Sequence, residues 1–249
     1  MKAHLGADVP VIVLSKGIED GTLMLMTDVL ADVLGNESRI AGLSGPNHAE
    51  EVGHGVPSAT VVASHDEGVG RFFQDLFMTR FFRVYTNPDV VGVELCAASK
   101  NVIAVAAGMS DGLGYGDNTK ATLMTRGLAE MSRLGHAMGA NPLTYMGLAG
   151  MGDLIATCTS KHSRNRALGE FVGKGGTLEG WQHSTNMVAE GAFSCVTVDQ
   201  LGARAGVELP ITREVRAILY DGKPVATSEE HLLGREARDE LHGMGLIED

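Results

Sequence analysis

The sequence predicts an α/β part built on a parallel sheet over residues 1–86, followed by an all-helical part over residues 87–249. Three observations predict this. Val9-Pro10-Val11-Ile12-Val13-Leu14-Ser15 is a short continuous apolar run, the pattern of a strand buried on both faces of a parallel sheet. Strand-like runs recur as far as Thr86 and almost vanish beyond it. Helical periodicity then takes over, most clearly at Leu123, Met124, Leu128, Met131, Leu134 and Met138, which mark one long amphipathic helix.

The first strand ends at Ser15-Lys16-Gly17, where open α/β sheets bind ligands; alone, the same three residues would read as a solvated turn. A helix follows from Gly21 to Leu34, with Leu23, Met26, Leu30 and Leu34 on one side. Ser44-Gly45-Pro46-Asn47-His48-Ala49-Glu50-Glu51 is a turn running into a helix start, and further strands are expected at Ala59 to Ala63 and Phe81 to Thr86. Asn87-Pro88 reads as an N-cap with proline at the first helical position.

The helix so opened carries Lys100, the only charged residue between Glu94 and Asp111. Cys96, Ala97, Ile103, Ala104 and Ala107 share its face. A lysine there either snorkels out to water or is desolvated or paired, and desolvation depresses its pKa towards the range useful for proton transfer. The glycine-rich stretch Gly112 to Thr119 lacks both the G-x-G-x-x-G and the G-x-x-x-x-G-K-[ST] spacing, and reads better as a connector between two close helices than as a phosphate cradle. Within Gly147 to Ile155, Asp153 stands in an apolar neighbourhood and needs a partner, a lysine or a ligand hydroxyl. Ser163-Arg164-Asn165-Arg166 opens another helix, capped by Ser163 or Ser160. Its free N–H groups and Arg164 would suit a phosphate, as they would suit a plain surface helix. Val188-Ala189-Glu190-Gly191 has no clear local structure, and Ser228-Glu229-Glu230 reads as the start of a last helix ending near Asp239 to Gly243.

Bulk composition narrows the function. With 44% apolar and 20% charged residues the chain is that of an ordinary globular protein. A net charge of -11 argues against nucleic-acid and membrane-surface partners but leaves room for a small anion on a local basic cluster. No apolar run reaches the ~18 residues of a membrane span, and Met1-Lys2 opens no secretory segment. Cys96, Cys158 and Cys195 suit reduced thiols in the cytoplasm. His48, Glu50, Glu51 and His54 do not have metal-ligand spacing, so no metal is expected.

Taken in order, these pieces resemble the bacterial NAD(P)-dependent glycerol-3-phosphate dehydrogenases. The resemblance runs from about Val9 to Glu240. It rests on Ser15-Lys16-Gly17, Gly45-Pro46-x-x-Ala49, Glu94-Leu95-Cys96 through Lys100-Asn101-Val102, and Asp111 through Lys120. It rests further on Gly152-Asp153-Leu154, Thr157-Cys158, Ser163 through Arg166, and Glu190-Gly191. It implies a partial Rossmann-like sheet, and reversible hydride transfer between NAD(P)H and dihydroxyacetone phosphate giving sn-glycerol 3-phosphate. By the same match Lys100 is the proton acceptor and donor, Lys16 holds the substrate, and Asp153 binds its hydroxyl end and orients Lys100. Ser163, Arg164 and Asn165 take the substrate at the helix start, and Gly45 and Asn47 line it. Ala49, Arg164, Val188 and Glu190 touch the NAD or NADP.

Two departures bear on these expectations. The family has Ser or Thr and then an aromatic where this chain has Asn47-His48. The family also opens on a glycine-rich dinucleotide fingerprint, and no G-x-G-x-x-G occurs in these 249 residues. Impaired NAD or NADP binding is therefore expected of this chain. Two readings result. One is a cytoplasmic enzyme, possible as a homodimer through an open sheet edge. The other is a truncated, inactive remnant binding a phosphorylated triose or a partner chain.

Overall fold

The computed structural model describes residues 4–6 and 8–244; Met1-Lys2, on which the expectation about a secretory segment rests, lies outside them. Strands β1 (Val11–Val13), β2 (Ile40–Ser44), β3 (Ser58–Ser64) and β4 (Phe82–Asn87) form one sheet in that order. β1 with β2 and β3 with β4 pair in parallel, while β2 and β3 pair antiparallel, which makes the sheet mixed. Between β2 and β3 the chain makes a turn and the five-residue helix α2 (Ala49–Gly53), and so returns beside β2 without a full crossover helix. β1 is shorter than its apolar run and only half-buried, with Leu14 57% exposed. Among the described residues it is an edge strand with β2 as its one neighbour, so its run is not covered on both faces.

The first helix, α1 (Met26–Leu34), starts later than Gly21, because Leu23 has φ 59° and Ile18 bridges Leu25, closing residues 18–25 into a tight turn. Leu25 at its N-cap has no oxygen with which to cap it. The carboxylate of Glu94, far along the chain, does so instead. Thr27 N–H donates to Glu94 Oε1 at 3.1 Å and the Thr27 hydroxyl donates to Oε2. Burial holds the Glu94 carboxyl up at about 7 despite those bonds. Strand β2 and helix α3 (Glu67–Phe77) carry no strong local pattern. β2 is Ile-Ala-Gly-Leu-Ser, weak in β-formers, and α3 is marked by Asp66, whose side chain accepts from Val69 N–H at 2.9 Å.

The central element is α4 (Val90–Gly112). Its cap is Asp89, two residues past the expected Asn87: Asp89 Oδ1 accepts from Gly92 N–H, and Asn87 Oδ1 in turn accepts from Asp89 N–H, both at 2.9 Å. By length and mean hydropathy, 1.6 over its most apolar 18 residues, α4 could cross a membrane, yet 94% of that window is buried inside the protein. A helix apolar on all sides is a core helix when other elements surround it. Here they are α5 (Asp117–Ala137), α6 (Asp153–Thr159), α7 (Arg164–Gly173), α9 (Glu190–Ala205) and α10 (Pro210–Tyr220), with α8 (Leu178–Ser184) against α7. α11 (Val225–Leu233) begins just after Pro224 and stops before Gly234, earlier at both ends than the acidic run Ser228-Glu229-Glu230 suggests.

The connector reading of Gly112 to Thr119 matches the geometry. α4 ends at Gly112 and α5 begins at Asp117, and Asp111 ties the join to α5 through Lys120 at 2.7 Å and to α7 through Arg166 at 2.6 Å. The helices α4 and α7 touch backbone to backbone. A Cβ on Gly108 would lie 2.0 Å from Arg166 O, and one on Gly169 would lie 2.0 Å from Val105 O. No side-chain rotation relieves a clash with a carbonyl. Gly169→Ala is therefore expected to destabilise the protein by ~3 kcal/mol, the upper part of the overpacking range, read as a lowered midpoint in urea unfolding; an unchanged midpoint would show that α7 can slide.

Candidate functional site

Three elements converge on one carboxylate. Lys16 comes from the turn after β1, Lys100 from the middle of α4, and Asp153 from the first residue of α6. Asp153 Oδ1 accepts from Lys100 Nζ at 2.5 Å and Oδ2 accepts from Lys16 Nζ at 2.8 Å. The Ser44 hydroxyl, at the end of β2, reaches Oδ2 at 3.4 Å. Asp153 is 2% and Lys100 4% exposed, and the Lys16 side chain is partly open. Lys100 does not snorkel to water.

The chain positions Asp153 by an unusual turn. Leu148–Gly152 is a π-helical turn running directly into α6, a distortion frequent at functional sites. Gly150 in that turn lies so close to Tyr145 that a Cβ would sit 2.2 Å from its carbonyl oxygen. One turn on, the Thr157 hydroxyl donates to the Asp153 carbonyl at 2.6 Å and accepts from Lys100 Nζ at 2.8 Å.

The charges settle in a particular way. Burial opposes ionisation of Asp153, but the two lysines outweigh it and hold the carboxyl below its usual range. Lys100 goes the other way. Burial, then the neighbouring Lys16 charge, lower it to about 8, although Asp153 pulls it up. Two cations around one anion leave a local excess of positive charge in a protein of net charge -11.

A second network begins one residue along α4. Asn101 Oδ1 accepts from Asn165 Nδ2 at 2.9 Å, and Asn101 Nδ2 donates to Glu190 Oε2 at 3.2 Å. Asn165 Oδ1 accepts from Gly191 N–H at 2.8 Å. Asn165 and Glu190, at the starts of α7 and α9, are thereby joined next to Lys100. Ser163 caps α7, accepting from Arg166 N–H at 3.2 Å, and is 3% exposed, so its hydroxyl is engaged inside. Arg164 stands exposed at the start of the same helix. Val188 is 54% exposed just before α9.

The turn after β2 lies nearby. Gly45 is buried with φ 154°, and a Cβ there would lie 2.9 Å from Thr60 Cα, so close backbone approach explains this glycine. Asn47 Nδ2 donates to Thr60 Oγ1 at 3.1 Å, and Ala49 is exposed at the first residue of α2. Pro46 Cδ approaches Gly152, 3.8 Å from where its Cβ would be, so this turn borders the Asp153 segment. His48 Nε2 is buried and has no hydrogen-bond partner among the described residues. A ligand group at this turn would find a free ring nitrogen there, beside the exposed Ala49 of the same turn. Among the described residues no cluster of metal-ligating side chains occurs.

Thr157 and Asn101 were not singled out by sequence reasoning as site residues. Both stand in stretches that carry the family resemblance, and Thr157 also has i+4 spacing from Asp153 on a helix. Asn101 is adjacent to Lys100, and neither spacing names the partner.

Two family models match the chain. That for the NAD-dependent glycerol-3-phosphate dehydrogenase N-terminus matches residues 1–69, and that for the C-terminus matches residues 89–229. A glycerol-3-phosphate dehydrogenase (NAD(P)+) 1 of Salinibacter ruber is 49% identical over 96% of this chain and 71% of its own length. One of Pelotomaculum thermopropionicum is 48% identical over 98% of this chain and 70% of its own length. The crystal structure of glycerol-3-phosphate dehydrogenase from Coxiella burnetii superposes with a TM-score of 0.90 at 37% identity, covering 94% of this chain and 72% of that one. With a mixed sheet, a core helix bearing a buried lysine and this degree of likeness, the chain belongs to the NAD-dependent glycerol-3-phosphate dehydrogenase family.

Proposed function

We propose that this chain transfers hydride reversibly between NAD(P)H and dihydroxyacetone phosphate, giving sn-glycerol 3-phosphate, with Lys100 as the proton-transfer group. One observation carries the assignment to Lys100: an amine 4% exposed, clamped by Asp153 and Thr157, whose pKa falls to about 8. A general acid–base works best with its pKa near working pH. When bound, NAD(P) supplies the hydride acceptor in one direction and the hydride donor in the other.

In oxidation, neutral Lys100 Nζ takes the proton of the secondary alcohol as the carbon loses hydride. In reduction, the ammonium returns that proton to the carbonyl oxygen. Asp153 orients Lys100 and binds the hydroxyl end of the substrate, and Lys16 holds the substrate from the opposite side of the same carboxylate. Arg164 and the free N–H groups at the start of α7 suit the phosphate, with Asn165 next to them and Ser163 shaping the cap. Gly45 and Asn47 line the substrate from the sheet side. Ala49, Arg164, Val188 and Glu190 contact the dinucleotide. The division of labour falls near residues 86 and 87, with the sheet serving the dinucleotide and the helices the substrate. Three free buried cysteines suit a reducing cytoplasm, and a homodimer without nucleic-acid partners completes the reading.

The direct test is NADH oxidation by the purified chain with dihydroxyacetone phosphate; no turnover at any enzyme concentration would sink the catalytic reading. Lys100→Ala is expected to lower kcat about a thousandfold while NADH binding, followed by fluorescence, is unchanged. The rate of glycerol 3-phosphate oxidation should rise with pH and level off above about 8, since the base must be neutral; reduction should decline over the same range. The titration of the Lys100 ammonium itself, followed by NMR, should have its midpoint near 8 and fall lower in Asp153→Asn. Burial and Lys16 both depress it, and Asp153 is the group that opposes them, so an unchanged midpoint would overturn that account.

A further inference from the structure

On the side of α4 away from Lys100 lies a cavity of about 890 Å³. Ala106, Met109 and Ser110 of α4 and Leu113 just past its end line it. At 100° per residue they stand roughly 80–180° around the helix from Lys100 and about two to four turns further along it, with Met109 directly opposite. Most of the remaining wall comes from α5, α10, α11 and residues 235–243, with Leu123, Ile218 and Leu232 among its apolar side chains. Interiors are filled to a packing density of about 0.75. A space of this size between helices has the dimensions of a ligand site, about 300–1,000 Å³.

One part of the wall is basic. Arg126 and Arg133 from α5 meet Arg235 and Arg238 from beyond α11. Burial, and then the charges of the other three arginines, lower the Arg133 pKa against the pull of Glu130. Several neighbouring acids are already engaged. Glu130 gives its carboxylate to the start of α10, accepting from Ile211 N–H at 2.6 Å and Thr212 N–H at 3.2 Å. Glu208 pairs with Arg235 at 2.8 Å and Arg238 at 3.2 Å, Glu214 pairs with Lys223, and Glu229 accepts from the Tyr115 hydroxyl. Glu236 and Asp239 are exposed. Arg133 has no hydrogen bond or ion pair among the described residues, although it is partly buried. The Ser110 hydroxyl, on a residue 5% exposed, likewise has no partner among them.

We propose that this cavity binds a single-chain amphiphile with an anionic head, the chain lying against Met109, Leu123 and Ile218 and the head held by Arg133 and the arginines around it. Ser110 would meet an oxygen of the ligand. Guanidinium forks fit carboxylate and phosphate alike, so either head satisfies the site, and the apolar wall selects the chain rather than a free ion.

Isothermal titration of the purified chain with dodecanoate and with dodecyl phosphate, each below its micelle concentration, tests this without reference to hydride transfer. Saturable binding of one molecule per chain is expected for at least one of them, and a preference between the two identifies the head. Arg133→Ala should weaken it about tenfold or more, and Thr122→Trp, a change at an exposed residue lining the cavity, should block it. Should Arg133→Ala fail to fold, Arg238→Ala at the surface reads the same contact. Equal binding of dodecanol, equal binding of inorganic phosphate, or no saturable heat with any probe would each overturn the proposal.

Discussion

The carboxylate of Asp153 is the constraint on which the rest of the structure turns. Buried and alone it would be costly enough to take up a proton. With a lysine on each oxygen it stays ionised. Those lysines arrive from different elements, one at the end of β1 and one in the middle of α4. The single ion therefore fixes the seat of the sheet's first turn against the helical bundle. Removing one partner of such a buried pair typically costs ~3–5 kcal/mol, so the elements are held where the chemistry needs them.

Helix α4 can carry a charge at its centre because everything around it is rigid. It meets α7 through glycines at backbone distance, with no side chain to yield. Its first turns cap α1 through Glu94, and α5 caps α10 through Glu130 in the same manner. Both receiving helices have leucine at their N-cap positions. A helix start that lacks its own oxygen is thus tied to a neighbour, and the tie sets the relative placement of two elements. Groups held on such elements keep a geometry that loops could not.

The electrostatics explain how an acidic protein handles an anionic substrate. The net charge of -11 belongs to the whole chain, while the site gathers Lys16 and Lys100 around a single acid. Low local dielectric makes those few charges count for more than the distant many. The same low dielectric depresses Lys100 and raises Glu94 and Glu130. One cause, burial, brings an amine down towards neutral pH in the first case and holds two carboxyls up in the other two.

Much of this was legible in the residues themselves. Strands β1, β3 and β4, the long helix through Leu128, a serine cap at the start of α7 and the solitary Lys100 all follow from local period and composition. So does the need of Asp153 for a partner. What local pattern could not supply was the partner's name, since the bonds that build the site span 53 to 137 residues. The antiparallel turn of β3, the thin cover of β1, the delayed start of α1 and the remote caps are likewise decided by what lies alongside in space. Sequence alone set which residues must be buried and which buried ones must be paired. Only the tertiary structure decided with whom, because burial energy depends on a residue's own chemistry and pairing depends on the neighbour that the fold delivers.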